Sequence, residues 1–347
     1  MIGEDRRSRP PLGGLLGPLL EPVYRAVIDA RNRRFDAGRG VESFPIPVIS
    51  VGNLSVGGTG KSPMVAMLVK GLIERGRRPA VVMRGYKASA GHTSDEAREH
   101  AALFGDGVPV IANPDRRAAI RDLLARNACD VVVLDDGFQH RRVRRNLDIV
   151  LLDATRDPFK DRCLPAGWLR EPVGSLARAG VIVLTHCEAA RSADVAAMRA
   201  ACAKAAPRAV VCEAEHAWAA VRVMLAGRPE EASEQPVSTL AGKRLFIACG
   251  IGHPEAFARA AEKHGAVIAE RWFAPDHHQW SIADARRIAE AASAARADLV
   301  LTTGKDWVKL QPLVGGGIPF AVPRLEMRVR TPEGEAELWG RVEGALG

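Results

Sequence analysis

From about residue 46 onward, short apolar runs alternate with longer stretches in which apolar side chains recur every three or four positions. The runs "IPVISVG" (46–52), "RPAVVMR" (78–84), "VPVIA" (108–112), "CDVVVLDD" (129–136), "LDIVLLD" (147–153), "GVIVLTH" (180–186) and "RAVVCEA" (208–214) read as strands. The helical period predicts helices over 62–75, 95–104 and 116–126 between them. Strands that are apolar on both faces and separated by helices indicate a parallel sheet covered on both sides. Residues 215–241, rich in Ala, Glu, Ser and Pro, break the rhythm and read as a linker. The alternation then resumes with strands at 243–250, 266–272 and 297–303 and helices at 254–264 and 282–295. The expected organisation is an N-terminal segment (1–40), a larger α/β domain (41–214), the linker (215–241) and a smaller α/β domain (242–347).

The N-terminal segment has a different pattern. Leu12, Leu15, Leu16, Leu19, Leu20, Val23, Tyr24, Val27 and Ile28 form one helical stripe. Pro18 and Pro22 argue for a helix that starts near one of them rather than one running unbroken through both. Arg25, Arg31, Arg33 and Arg34 lie on or just beyond the polar side. Two readings follow: a helix packed on its own domain, or a basic amphipathic segment in a membrane interface. No small-residue cleavage site follows the apolar part, which argues against a signal peptide.

Composition narrows the classes. The 347 residues are 47% hydrophobic and 26% charged, which excludes a disordered chain. Lys and Arg outnumber Asp and Glu 49 to 41, for a net charge of +8 and a pI near 9.5. That excess suits an anionic partner without choosing among nucleotide, phospholipid and nucleic acid. The six cysteines form no C-x-x-C pair and sit mostly in apolar runs, as reduced core residues do. No apolar run approaches the roughly 20 residues that span a bilayer.

The chemistry begins at "VISVGNLSVGGTGKSPM" (48–64), where a strand runs into glycines, a lysine and a serine. Gly60, Lys61 and Ser62 fit the end of G-x-x-x-x-G-K-[ST], with Ser55 at the first glycine position. The loop Ser55, Val56, Gly57, Gly58, Thr59, Gly60 can wrap a phosphate with its amides, at the positive end of the following helix. Lys61 can reach the β- and γ-phosphates of ATP, and the Ser62 hydroxyl can hold Mg²⁺. In "VVVLDDGFQH", Asp135 and Asp136 end a strand at the sheet edge where open α/β folds bind ligands. One of them can hold the metal or its water, and neighbours on a strand point to opposite sides. The fold expected is therefore a P-loop NTPase-type α/β/α domain with a second, smaller one.

Two other classes fare worse. Guanine-specific P-loop proteins carry N-K-x-D; the nearest string, "TTGKDWVKL", has Lys305 and Asp306 adjacent with no Asn before them. The basic run "HRRVRRN" (140–146) has no aromatic interleaving, so a phosphate- or phospholipid-facing patch is favoured over nucleic acid. A kinase of a soluble sugar or cofactor, and an ATPase switch without an acceptor, remain the alternatives at this point.

Several strings in order resolve these. "PVISVGNLSVGGTGKSP", "RGY" (84–86), "DDGFQH", "LPAGWLREP", "CGIGHPEAF", "DHH" and "TTGKDWVKL" resemble the tetraacyldisaccharide 4'-kinase family, the lipid A 4'-kinases of Gram-negative bacteria. The resemblance covers nearly the whole chain, and it accounts for Ser55 as that family's variant of the loop. It implies two α/β/α domains joined by a small β linker, and transfer of the γ-phosphoryl of ATP, with Mg²⁺, to the 4'-hydroxyl of lipid A disaccharide 1-phosphate, giving lipid IVA. It implies a monomer on the anionic cytoplasmic face of the inner membrane, with no nucleic-acid partner. Lys61 and Ser62 fall on its phosphate and Mg²⁺ positions, and Asp135 and Asp136 on its metal acids. Asp95 falls on its catalytic acid, although "TSDEA" stands where the family has a "GDEP"-like string. His277 falls on its catalytic histidine. Arg84, Tyr86, Gln139, Arg170 and Glu171 match further cleft positions, and Gly304 stands where Glu is common. A carboxylate bonded to a histidine is a chemically suitable base for the attacking hydroxyl.

Overall fold

Most of the apolar runs form parallel strands that bury both of their faces. The computed structural model describes the chain except residues 1–10, 13, 15, 86–99, 101–103, 226–227, 253 and 277. Two units emerge: Met1–His216 together with Met327–Gly347, and Ala217–Glu326.

The first unit opens with α1 (Leu16–Asp36), β1 (Val48–Asn53), α2 (Lys61–Glu74), β2 (Pro79–Met83) and β3 (Val110–Ala112). It continues through α3 (Arg116–Ala125), β4 (Val131–Asp135), β5 (Leu147–Asp153), β6 (Val181–Thr185), α4 (Ser192–Ala205) and the start of β7 (Val210–Leu225). Its strands lie in the order β7-β6-β5-β1-β4-β2-β3, all parallel. Alternate residues serve opposite faces, as strand geometry requires. Ile49, Val51, Val131 and Val133 join the core under α2, whereas Val48, Val132 and Leu134 meet Ile120 and Leu123 of α3. Val150, Leu152, Ile182 and Leu184 meet Val195, Met198 and Cys202 of α4. Strand order reverses about β1, which has β4 on one side and β5 on the other. Such a switch point leaves a crevice at the carboxyl ends of the strands.

The second unit contains β8 (Arg228–Gln235), antiparallel to β7, then β9 (Arg244–Cys249), α5 (Pro254–Lys263) and β10 (Val267–Phe273). Next come α6 (Ile282–Ala294), β11 (Leu299–Leu301), α7 (Gly304–Leu310) and β12 (Phe320–Val329), in the parallel order β10-β9-β11-β12. The final helix, α8 (Pro332–Leu346), returns to the first unit.

Much of 215–241 is strand, in line with the small β linker the resemblance implies: β7 runs on to Leu225 and pairs with β8. The extent of the smaller unit differs from the sequence reading: it takes in Ala217–Glu326 rather than 242–347. Leu338, Trp339 and Val342 of α8 are buried in the first unit's core. The Trp339 ring lies over Gly71 of α2, 2.2 Å from where a Cβ would stand, and the Arg75 guanidinium sits 3.8 Å from the ring centroid.

Helix α1 places Pro18 in its first turn and also continues through Pro22, where a break or a start was expected. Its faces are inverted relative to an ordinary surface helix. Glu21 and Asn32 are buried, while Leu16, Leu19, Val23 and Val27 are each more than 60% exposed. Glu21 accepts from Arg162 Nε at 2.6 Å and from the Cys163 N–H at 3.1 Å. Asn32 donates to Glu171 at 2.9 Å, and the Tyr24 hydroxyl donates to the Arg170 carbonyl at 2.9 Å. A polar face docks the helix on its own unit, and an apolar face points outward.

Candidate active site

The loop between β1 and α2 is held from several sides. Asn53, the last residue of β1, donates to Thr59 Oγ1 at 2.9 Å and so ties the loop across its base. Gln139 Nε2 donates to the Asn53 carbonyl at 2.9 Å, and Thr185 Oγ1 donates to the Thr59 carbonyl at 3.0 Å. Ser55 bridges Leu169, and the Val56 N–H donates to the Trp168 carbonyl at 2.8 Å, so the "LPAGWLREP" stretch braces the loop's outer limb. Gly57 (φ 130°) and Gly60 (φ 79°) take backbone angles that side chains disfavour, which is what turns the loop tightly. Gly58 has open space beside it and Thr59 is buried. Lys61 and Ser62 start α2, where free helical N–H groups and the macrodipole favour an anion.

The two adjacent aspartates diverge because the chain leaves the strand between them. Asp135, still on β4, is buried and its Oδ2 lies 3.1 Å from Nε2 of the buried His100. Its Oδ1 is buried without a hydrogen-bond partner. Asp136, just past the strand in the left-handed region (φ 50°), turns toward the loop. Arg170 Nη1 donates to both its oxygens at 3.0 Å, and Lys61 Nζ lies 3.6 Å from Oδ1. Burial alone would raise the Asp136 pKa; the Lys61 and Arg170 charges outweigh it and hold the carboxyl below its ordinary value. Arg116 donates to the carbonyls of Asp135 (3.1 Å) and Asp136 (3.3 Å), fixing the turn itself. His140 is pressed down to about 4 by burial and by the neighbouring Arg116, Arg142 and Arg145, so it stands neutral.

Of the residues singled out in the sequence, Ser55 through Ser62, Asp135, Asp136, Gln139 and Arg170 meet at the carboxyl ends of β1 and β4. Glu171 is wholly buried, accepting from Asn32 at 2.9 Å and Arg178 at 2.8 Å, so it is a support under α1 rather than a cleft surface. Arg84 lies exposed just beyond β2. Asp95, Tyr86 and His277 lie outside the described residues. The sequence reading missed Asn53, His100, Arg116 and Thr185. Asn53 and Thr185, polar residues ending otherwise apolar strands, carried a readable signal; His100 and Arg116, inside helical patterns, carried none.

The donor set suits a metal on a triphosphate. Among the described residues no cluster of three or more His, Cys, Asp or Glu could hold an ion unaided. Mg²⁺ bound to phosphates takes only one or two protein ligands, and a buried carboxylate oxygen without a partner, on the strand beside the one that opens into the phosphate loop, fits that need.

Comparison with known proteins follows the same line. A family model described as Tetraacyldisaccharide-1-P 4'-kinase matches residues 14–343. A tetraacyldisaccharide 4'-kinase of Anaeromyxobacter dehalogenans (strain 2CP-1) is 37% identical over 331 residues, covering 90% of this chain and 86% of that protein. One from Syntrophus aciditrophicus is 36% identical over 352 residues, covering 94% and 91%. Among solved structures, the "apo" form LpxK from Aquifex aeolicus in complex with ATP superposes with a TM-score of 0.69 at 26% identity, covering 95% of this chain and 98% of that one.

Proposed function

The chain belongs to the tetraacyldisaccharide 4'-kinase family, and from that premise we propose which of its residues carry the reaction. The enzyme transfers the γ-phosphoryl of ATP to the 4'-hydroxyl of lipid A disaccharide 1-phosphate, giving lipid IVA. In our reading the loop amides of 55–60 cradle the phosphates. Lys61 and Arg170, kept in place by Asp136 until nucleotide arrives, balance the charge that builds as the bond breaks. Ser62, Asp135 Oδ1 and Asp136 would hold Mg²⁺, which would neutralise the β- and γ-phosphates. Asp95 is assigned as the proton acceptor for the 4'-hydroxyl and His277 as its partner.

The observation that carries this assignment is the shared contact of Lys61 and Arg170 with Asp136 at the mouth of the loop. It is tested by transfer of labelled phosphate from ATP to the disaccharide 1-phosphate. Lys61→Ala should lower the rate by a factor on the order of 100 to 1,000. Wild-type turnover by the folded variant would remove the phosphate site from its assigned place.

The lipid acceptor gives the outward face of α1 a purpose. Among the described residues no helix is long and apolar enough to cross a membrane. Leu16, Leu19, Val23 and Val27 are exposed together, and Arg33, Arg34 and Arg39 are exposed at the helix's C-terminal end. We assign this face to an anionic membrane interface, reached from the cytoplasmic side. Leu19→Glu combined with Val23→Glu should move the protein from the membrane to the soluble fraction without lowering its melting temperature. Unchanged partitioning would contradict the assignment.

A further inference from the structure

The carboxylate of Asp135 stands apart from the cations gathered at the phosphate loop. Lys61 and Arg170 meet Asp136, and Arg116 donates to the two backbone carbonyls of the turn. Among the described residues, the hydrogen-bond partner of the Asp135 side chain is His100, whose Nε2 lies 3.1 Å from Oδ2. An ionised carboxylate can only accept, so the ring donates. Both side chains are nearly sealed from water, at 1% and 7% exposure. The ring is also held from behind. It stacks on Phe104, with centroids 5.6 Å apart and planes 11° from parallel, and Phe104 packs against the core under α2.

Packing alone does not account for this histidine. Its Nδ1 is buried without a hydrogen-bond partner. An unsatisfied buried nitrogen opposes folding, and an apolar side chain would fill the same space without that cost. With an apolar residue at position 100, however, both oxygens of Asp135 would be buried and unpartnered. The histidine serves the carboxylate.

We propose that His100 is a positioning residue for the metal: by donating to Oδ2 it fixes the plane of the Asp135 carboxylate and leaves Oδ1 as the oxygen presented to Mg²⁺. This rests on the assignment of Asp135 as a metal ligand above. A carboxylate with no partner turns about its Cβ–Cγ bond, and one hydrogen bond to a fixed donor removes that freedom before the ion arrives. Partners of this kind behind a ligand typically contribute roughly 10- to 100-fold in metal affinity.

The test uses the full chain with ADP bound and Mn²⁺ in place of Mg²⁺, and reads unbound Mn²⁺ from its electron paramagnetic resonance signal. His100→Phe keeps a flat ring against Phe104 but has no donor, and it should weaken Mn²⁺ by about tenfold or more. His100→Gln returns an N–H to the position of Nε2 and should stay within about threefold of wild type. Affinity for ADP in the absence of metal should change by less than about twofold in both, because the phosphate loop is untouched. The Mg²⁺ concentration that half-saturates phosphoryl transfer should rise in the same order. Equal weakening by both variants would show that the shape of the ring matters and not its donor, and would overturn the proposal. Unchanged Mn²⁺ affinity in His100→Phe would overturn it as well. If His100→Phe does not fold, His100→Asn, too short to reach Oδ2, replaces it with the same expectation. Failure of the wild-type ADP complex to hold Mn²⁺ more tightly than free ADP does would instead overturn the metal assignment on which the proposal stands.

Discussion

Asp135 in the first unit and Asp306 in the second are both buried carboxylates near the carboxyl ends of parallel strands, yet their surroundings differ in kind. Every oxygen of Asp306 is occupied. Oδ1 accepts from Trp280 Nε1 at 3.0 Å, and Oδ2 accepts from the Gly250 N–H at 3.0 Å and Thr303 Oγ1 at 2.7 Å. It also lies in the first turn of α7, whose N-cap Thr303 hydroxyl accepts from the Asp306 N–H at 3.2 Å. Asp135 has one oxygen on His100 and another that is buried without a partner. A buried polar group left unsatisfied is costly, so it persists where something else requires it. The saturated aspartate holds loops together; in our proposal the half-satisfied one serves a ligand.

Removing the saturated acid should have the largest effect on stability. Asp306→Ala leaves the Gly250 N–H and the Trp280 indole buried without an acceptor, at about 1–3 kcal/mol each. Differential scanning calorimetry should show a large fall in the melting of this variant. A melting temperature equal to wild type would break the contrast. Trp280→Phe sharpens it, since it removes one donor and leaves Asp306 its other two. The expected loss is smaller, about 1 kcal/mol, and a loss as large as that of Asp306→Ala would show that the indole, not the carboxylate, is the centre of the hub.

The smallest effect concerns His140, a half-buried group beside the site, whose buried Nε2 has no partner. Its folded-state pKa of about 4 lies below the ordinary value of 6.5, because burial and three nearby arginines oppose its charge. The unfolded chain therefore binds a proton below pH 6.5 that the folded chain refuses until about pH 4. This contribution to stability is present above pH 6.5 and is lost as pH falls toward 4. His186 shifts the other way: burial opposes its charge, but Asp153 outweighs that and raises its pKa. Its contribution is complete below pH 6.5 and disappears only as pH rises, whereas His264, lowered by burial, shifts the same way as His140 and is common to wild type and variant. His140→Asn should show a shallower decline in melting temperature between pH 6.5 and 4.5 than wild type does. Parallel declines would remove His140 from the account.

Much of this was legible beforehand, for stated reasons. Strands apolar on both faces announced the parallel sheet, and glycines before Lys61 and Ser62 announced the phosphate loop. Three things were not legible. "TTGKD" read as a motif of unassigned chemistry, and only three-dimensional contacts show Asp306 as a hub. Gly304 beside it has no neighbour within 4 Å of a Cβ position, so a side chain could start there without a clash. Glu171 read as a cleft residue, but its partners Asn32 and Arg178 come from α1 and from beyond "LREP", which no local pattern reveals. The return of α8 to the first unit depended on Trp339 finding Gly71 across more than half the chain.

The central claim is that the free oxygen of Asp135 serves chemistry and not folding, and Asp135→Asn tests it most directly. The substitution keeps shape and a hydrogen-bonding oxygen but removes the charge that would hold the metal. Labelled-phosphate transfer to the disaccharide 1-phosphate should fall by about 100-fold or more, with the melting temperature close to that of wild type. A folded Asp135→Asn protein that transfers phosphate at the wild-type rate would contradict the account.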